Sequence, residues 1–349
     1  MRAGFFPLDE QLRLGGHSWT PESIKQAVSL GVEIASHRRA AGRFEALTKM
    51  PLSNSSLDRL VDEYGERVVK KQAAEAEAMV KMPAKDEEIV WRERPVPDSP
   101  VMNVSSDGVL INIRAEGWKE VKTVTISAVE AVVALERDEE KEVQLTHHSY
   151  RAGLWEAKEF AKQQWAEGCR RGLERAQQIV SVNDGAAWIW AIIAMCYAPC
   201  VEIIDWWHAV EKIWEAANSL WGQGDPHSVA WVGQQKDRLW AGHVRALLRH
   251  VRQVCPRGQP LPEKVRALVS YVFHNRRRMD YVGYRQAGYP VGSGSVESAC
   301  KVVVQERMKQ AGMRWSRKGA QAMLALRSVL LSDRCDEVWA SLEPTPKLT

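Results

Sequence analysis

The sequence has no paired cysteines. Its six thiols stand singly at 169, 196, 200, 255, 300 and 335. With no Cys-x-x-Cys, a zinc ribbon or a dithiol redox motif is not supported, and Cys196 and Cys200, four apart in an apolar stretch, read as buried thiols. No apolar run approaches the roughly 18 residues that a membrane span needs. The start, MRAGFFPLDEQ, lacks a basic-then-apolar leader, so the expectation is a cytoplasmic protein without a membrane partner. There is no internal repeat and no low-complexity segment. A large excess of one charge is also missing: a net +4 does not by itself announce a nucleic-acid partner, and the local distribution of charge must decide.

What is present is length and tryptophan. A chain of 349 residues has room for two or three domains. Ten of its fifteen tryptophans lie between Trp155 and Trp240, which implies a thick, largely helical core there. Thr20-Pro21-Glu22 starts a helix, with a cap, a proline at the first position and an acid. A second helix is expected over Ser36–Leu47, a third from about Ser55, and helical pattern continues over 66–82. Three short helices with a tight turn suggest a helix-turn-helix unit that docks its last helix in a DNA major groove. A mild basic excess over 37–71, eight Lys/Arg against five acids, agrees. Residues 1–82 are thus expected as an N-terminal helical DNA-binding domain. The proline-rich 83–100 follows as a linker.

A β-rich block comes next. Val101–Ser106 reads as a strand stopping at the hairpin signal Asp107-Gly108. Val109–Ile113, Val121–Val129 and Val143–Thr146 continue an antiparallel meander, interrupted by the charged stretch 136–142. His147-His148 is assigned no role, since neighbours on a strand face opposite ways. A helix fits Leu154–Glu167. Gln177–Val182 is a short strand ending at Asn183-Asp184-Gly185, and Val201–Ile204 is another, ending at Asp205. Each runs straight into a helix, the grammar of parallel crossovers, in which strand carboxyl ends line the ligand crevice. The core's first part is therefore placed at 101–221. An all-helical insertion follows at 222–288, core helices at 289–340, and a disordered tail at 341–349.

The stretch YPVGSGSVESACKVVVQERMKQAGMRWSRK breaks at Pro290, Gly292 and Gly294 and then starts a helix at or near Ser295. Glu297 falls in its first turn, where a carboxylate is favoured by the helix dipole. From 297 to 318 there are six Lys/Arg against two Glu. Three strands, a helix, then two parallel strands with helices is the order of a ribonuclease-H-like mixed α/β sheet. In that arrangement Asp107, Asp184 and Glu297 converge as catalytic, metal-holding carboxylates for Mg²⁺ or Mn²⁺, hard ions that prefer oxygen. Two such ions suit phosphodiester chemistry. Asp205 and His208 lie one helical turn apart, so the acid can orient the imidazole as an accessory pair. An alternative makes Asp205 the second catalytic acid in place of Asp184. Arg276, Arg277, Arg278, Lys301, Arg307, Lys309 and Arg314 are expected to neutralise DNA phosphates. Trp315 either stacks on an unpaired base or belongs to the core.

The run GYPVGSGSVESACKVVVQERMKQAGMRWSRKGAQAMLALRS resembles the C-terminal signature of bacterial insertion-sequence transposases of the Kra type, DDE/E enzymes akin to the Mutator group. SSDGVLINIRAEGWKEVK, VNDGAAWIW, IIDWWHAVEKIW and FFPLDEQL extend the resemblance over most of the chain. It implies Asp107, Asp184 and Glu297 as first, second and third acids, and two Mg²⁺ or Mn²⁺ ions. It also implies duplex DNA partners (terminal inverted repeats and target), action as a homodimer or larger, and a nucleoid location. The activity implied is metal-dependent cleavage and strand transfer. Alternatives are an inactive or truncated DNA-binding derivative, or a nuclease of the same fold that never joins strands. Asp205-Trp206-Trp207-His208 resembles the family's Asp/Cys-x-x-His motif. One departure is expected to matter: relatives carry an additional, Cys-rich segment ahead of FFPLDE, which this sequence lacks.

Overall fold

The computed structural model describes residues 19–80, 95–132, 142–254 and 259–342. The FFPLDE segment, most of the expected linker, the charged stretch before residue 142 and the tail from 343 lie outside the described residues.

Helix α1, Pro21–Glu33, starts as expected: Thr20 Oγ1 accepts from Ser23 N at 3.4 Å and proline follows it. Helix α2, His37–Thr48, is capped in the same way by Ser36. The third and fourth expected helical pieces are one helix, α3, Asn54–Val80. No proline interrupts it, and its internal Gly65 serves packing: a Cβ there would lie 2.5 Å from the Cβ of Ala322. Two backbones approach closely at this crossing.

Among the described residues five strands form one mixed sheet in the order β3-β2-β1-β4-β5. They are β1 Val101–Ile113, β2 Gly117–Val132, β3 Glu142–Gly153, β4 Gln178–Asn183 and β5 Val201–Ile204. β2 runs antiparallel to β1 and to β3, whereas β4 is parallel to β1 and to β5. The expected hairpin at Asp107-Gly108 is corrected. β1 passes straight through, with Asp107 opposite Thr123 and Gly108 opposite Lys122. The chain reverses over 114–116, where Ala115 has φ 63°. Gly108 is there for space, since a Cβ would meet the Glu120 carboxylate at 2.3 Å. At His147, φ 48° and a register shift opposite Ser127 mark a bulge; His148 Nδ1 then reaches Ser127 Oγ at 2.7 Å.

Helix α4, Ala157–Arg170, follows the meander, α5, Ala187–Cys196, joins β4 to β5, and α6, Trp206–Trp221, leaves β5. Among the described residues of the expected insertion are four α-helices, α7 Pro226–Trp240, α8 Val244–Arg252, α9 Glu263–Asn275 and α10 Tyr281–Gln286, with a 3-10 turn at Arg276–Arg278. The chain returns through α11, Gly294–Ala299, a π-helical stretch Cys300–Gln305 and a last α turn Glu306–Met308. Helices α12, Arg317–Leu331, and α13, Cys335–Leu342, complete it.

Alternation along β1 divides the interior. Met102 and Val104 enter a core shared with Phe160, Val182, Ile193, Ile204 and the tryptophan-rich helices. Val109, Ile111 and Ile113 enter a second core. There they share one cluster with α1–α3, the segment from Ala299 to Met308, and α12; the N-terminal helices pack on one another and on α12 and α4, and α12 in turn packs on β3. Cys196 and Cys200, expected buried, are half-exposed, and burial still pushes their thiols up to about 11 and about 12.

Candidate active site

The faces of β1, β2 and β4 that are not apolar are polar yet fully buried. Asn103 and Ser105 on β1, Thr123, Thr125 and Ser127 on β2, and Ser181 and Asn183 on β4 are all sealed from solvent. Asn183 binds the strands together: its Oδ1 accepts from Ser106 N at 2.7 Å and its Nδ2 donates to Ser181 Oγ at 2.7 Å. Asp107 continues this polar row on β1, two residues beyond Ser105. The row lies under α11, where Ser295 Oγ and Thr125 Oγ1 are buried without a hydrogen-bond partner among the described residues and Thr123 neighbours the Cys300 thiol.

At this end of the sheet the chain assembles five chemically capable side chains. Asp107 is half-buried, and its Oδ1 accepts from Gly108 N at 2.7 Å. Burial raises its pKa. The Gly108 N–H and the Cys300 thiol work against the rise, and the neighbouring Asp184 charge adds to it. Asp184 sits just past β4, with Oδ1 accepting from Ala186 N at 2.9 Å and its carbonyl held by the Tyr271 hydroxyl at 2.9 Å. Gly185 has φ 103° and a Cβ there would press on Tyr271 and Ile204, so only glycine turns the chain tightly enough to leave Asp184 at the strand end.

Asp205 is the fully buried cap of α6. Its Oδ1 accepts from His208 N at 2.6 Å and faces His208 Nδ1 at 3.2 Å, while Oδ2 accepts from Ser293 N. Ser293 Oγ then donates to Glu297 Oε1 at 2.9 Å. The cap of one helix therefore fixes the loop that carries the acid of another. Oxygen and nitrogen atoms of Asp205, His208 and Glu297 all lie within 4.8 Å of one another. That trio could hold a metal ion, but both oxygens of Asp205 are already engaged. Asp184 and Glu297 each keep one carboxylate oxygen with no hydrogen-bond partner among the described residues.

His208 is pushed up to about 9, first by its hydrogen bond to Asp205 and then, against the cost of burial, by the charges of Asp205, Asp184 and Glu211. It is an imidazolium at neutral pH, next to the acids. Because its folded value exceeds the ordinary 6.5, the stability it shares with Asp205 is complete below that value. This stability is lost as pH rises through about 9. An NMR titration should place His208 near that upper value, and Asp205→Asn should return it toward the ordinary one.

The expected phosphate-binding residues divide. Lys301, Lys309 and Arg314 are exposed, and Lys301 stands one turn after Glu297. Arg307 is corrected: it is buried, donating to Gly31 O at 3.2 Å and contacting His37 Nε2 at 2.8 Å. It joins α1 and α2 to the last turn before Met308, and burial lowers it to about 10. Trp315 belongs to the packing. Its backbone pairs with β1 through Asn112 and Arg114, its Nε1 donates to Met308 O at 3.1 Å, and Arg307 lies over its ring. Arg276, Arg277 and Arg278 are not gathered with the acids. They border a cavity with Cys200, Val201 and Glu202, at the start of β5 rather than at its Asp205 end. Arg278 is paired with Glu202 and lies over Trp190.

A different cavity, of about 870 Å³, opens beside Glu297 between Trp207, Trp240, Arg285, Tyr289 and the Gly292–Gly294 turn. Trp207 is 64% exposed there. Sequence reasoning missed Ser293, Tyr271 and Cys300 as neighbours of the acids. Only the Ser293/Glu297 spacing, one helical turn, could have signalled any of them. No protein-family model and no curated protein matches the chain.

Proposed function

We propose that the protein is a DNA transposase of the DDE/E kind with a ribonuclease-H-like catalytic core. The observation that supports this reading is that Asp107, Asp184 and Glu297, far apart in sequence, all neighbour His208. Asp107 and Asp184 are near enough to interact with its charge, and Glu297 shares the Asp205–His208 cluster through Ser293. The strand order β3-β2-β1-β4-β5, with its antiparallel and parallel pairings, agrees with that fold.

On this reading Asp107, Asp184 and Glu297 would supply the oxygen donors that Mg²⁺ or Mn²⁺ prefers. Two ions held there would activate the attacking oxygen and stabilise the leaving one. Asp205 serves as a positioning residue, because its oxygens are spent on His208 and Ser293. On this reading Asp184, rather than Asp205, serves as the second acid. The His208 imidazolium offers a charged donor to a phosphate oxygen, and Lys301 adds positive charge one turn beyond Glu297. The partner is duplex DNA, at the ends of the mobile element and then at a target.

The test is purified protein with duplex DNA carrying the element's ends, with Mg²⁺ or with chelator. Nicking only with the cation, followed by joining of pre-cleaved 3′ ends to a target duplex, is expected. Nicking without joining indicates a nuclease. No cation-dependent nicking overturns the proposal.

A further inference from the structure

A second concentration of positive charge lies where no site has yet been placed. Residues 236–266 hold eight Lys/Arg against two acids, leaving 40 against 42 elsewhere. This one stretch therefore outweighs the +4 of the whole chain. At its centre is α8. Leu247, Leu248 and Val251 bury one side of this helix. Arg245, Arg249 and Arg252 occupy the other side, all exposed, at the i, i+4, i+7 spacing of one helical stripe. None of the three has a hydrogen-bond or ion-pair partner among the described residues. Like charges stacked one turn apart weaken a helix, and no acid of α8 relieves them. The stripe rises about 10 Å along the helix axis, comparable with three base-pair steps of about 3.4 Å each along one DNA strand.

We infer that the exposed face of α8 is a docking surface for the phosphate backbone of duplex DNA, with Arg245, Arg249 and Arg252 each neutralising a phosphate. The inference rests on the proposed DNA partner and adds to it a contact surface in the helical insertion. It commits to backbone recognition, because the stripe offers positive charge at regular spacing along one exposed helix face, the contact that positions a protein on a duplex. Helix α8 packs on α7 and α9, and α9 carries Tyr271, whose hydroxyl holds the Asp184 carbonyl. DNA seated on the stripe is thereby connected to the second acid through a single helix.

The test is a salt titration of duplex DNA binding by the full-length protein, by the triple variant Arg245→Gln/Arg249→Gln/Arg252→Gln, and by the matching triple Lys variant. The Gln variant should show a log-affinity against log-salt slope shallower by about 2.7, at ~0.9 per lost phosphate contact. Its affinity near 0.1 M salt should fall on the order of 10²-fold by the same relation. The Lys variant should keep the slope, which a merely structural role for the guanidinium groups would not predict. An unchanged slope in the Gln variant overturns this inference alone. Absence of duplex binding by the unaltered protein overturns it together with the proposed function. Stronger competition by single-stranded RNA than by duplex DNA gives the surface a different occupant and also overturns it.

Discussion

Asp107→Asn is expected to lower cation-dependent DNA nicking on the order of 10³-fold, from the loss of several kcal/mol of charge stabilisation at the reacting phosphate. Duplex binding should persist. The substitution keeps the shape of the side chain and an oxygen to accept from Gly108 N, so the strand has no reason to move. What is removed is the negative charge, in a half-buried position facing Asp184 and Cys300. Asp184→Asn and Glu297→Gln should behave alike. Asp205→Asn should not: it disturbs a buried cap and the Ser293 anchor, so its loss of nicking should come with a lower melting temperature. Single-turnover nicking, filter binding and thermal melting of the four variants check this. Loss of nicking in Asp205→Asn with unaltered melting, alongside retained nicking in Asp184→Asn, would move the second acid to Asp205.

Glu167→Ala should cost about 3–5 kcal/mol of folding stability, the range for removing one partner of a buried ion network. Glu167 is fully buried on α4. It faces Arg170 at 3.0 Å, Arg151 at 3.3 Å and Arg334 at 3.6 Å. Arg151, equally buried on β3, also reaches Gln163 Oε1 at 2.8 Å and Glu75 on α3 at 3.3 Å. The network thus joins four parts of the fold, and without Glu167 three guanidinium groups face one another. Burial alone would raise the Glu167 carboxyl; Arg170, Arg151 and Arg334 overcome it and hold the group at about 2. A depressed carboxylate contributes stability that is fully present above its ordinary 4.5 and disappears as pH falls through about 2. Urea unfolding of the two proteins at neutral pH and in acid should show the gap narrowing on acidification. An equal gap at both would show that packing, not charge, is responsible.

The short-range signals were legible. Thr20-Pro21 and Ser36 placed two helix starts to within a residue, because caps act through local hydrogen bonds. The repeated strand–Asp–helix pattern located Asp184 and Asp205 at the ends of β4 and β5. Asp107-Gly108 misled, since that dipeptide serves both turns and extended strands. Here the glycine answers to Glu120, across the sheet, and only the three-dimensional pairing reveals that. Arg307 and Trp315 misled for a related reason. Composition makes them a basic and an aromatic contact for DNA, whereas α1 and β1, distant in sequence, enclose them. The polar row Asn103-x-Ser105-x-Asp107, with Thr123-x-Thr125-x-Ser127 beside it, was visible as alternation. Without the sheet order it did not say that a site lay along it.

The π-helical stretch Cys300–Gln305 has a consequence for how insertions and deletions are tolerated. A π turn accommodates an extra residue within a helix whose two ends stay in line. Removing one residue between Cys300 and Gln305 would let the stretch relax to ordinary winding. Each residue of an α-helix turns it by about 100°. The buried end at Arg307 and Met308 and the acid-bearing end at Glu297 can both keep their present neighbours only while that surplus residue remains. The segment acts as a phase adjuster, and shortening it by one would force the chain to choose between its anchorage and its carboxylate.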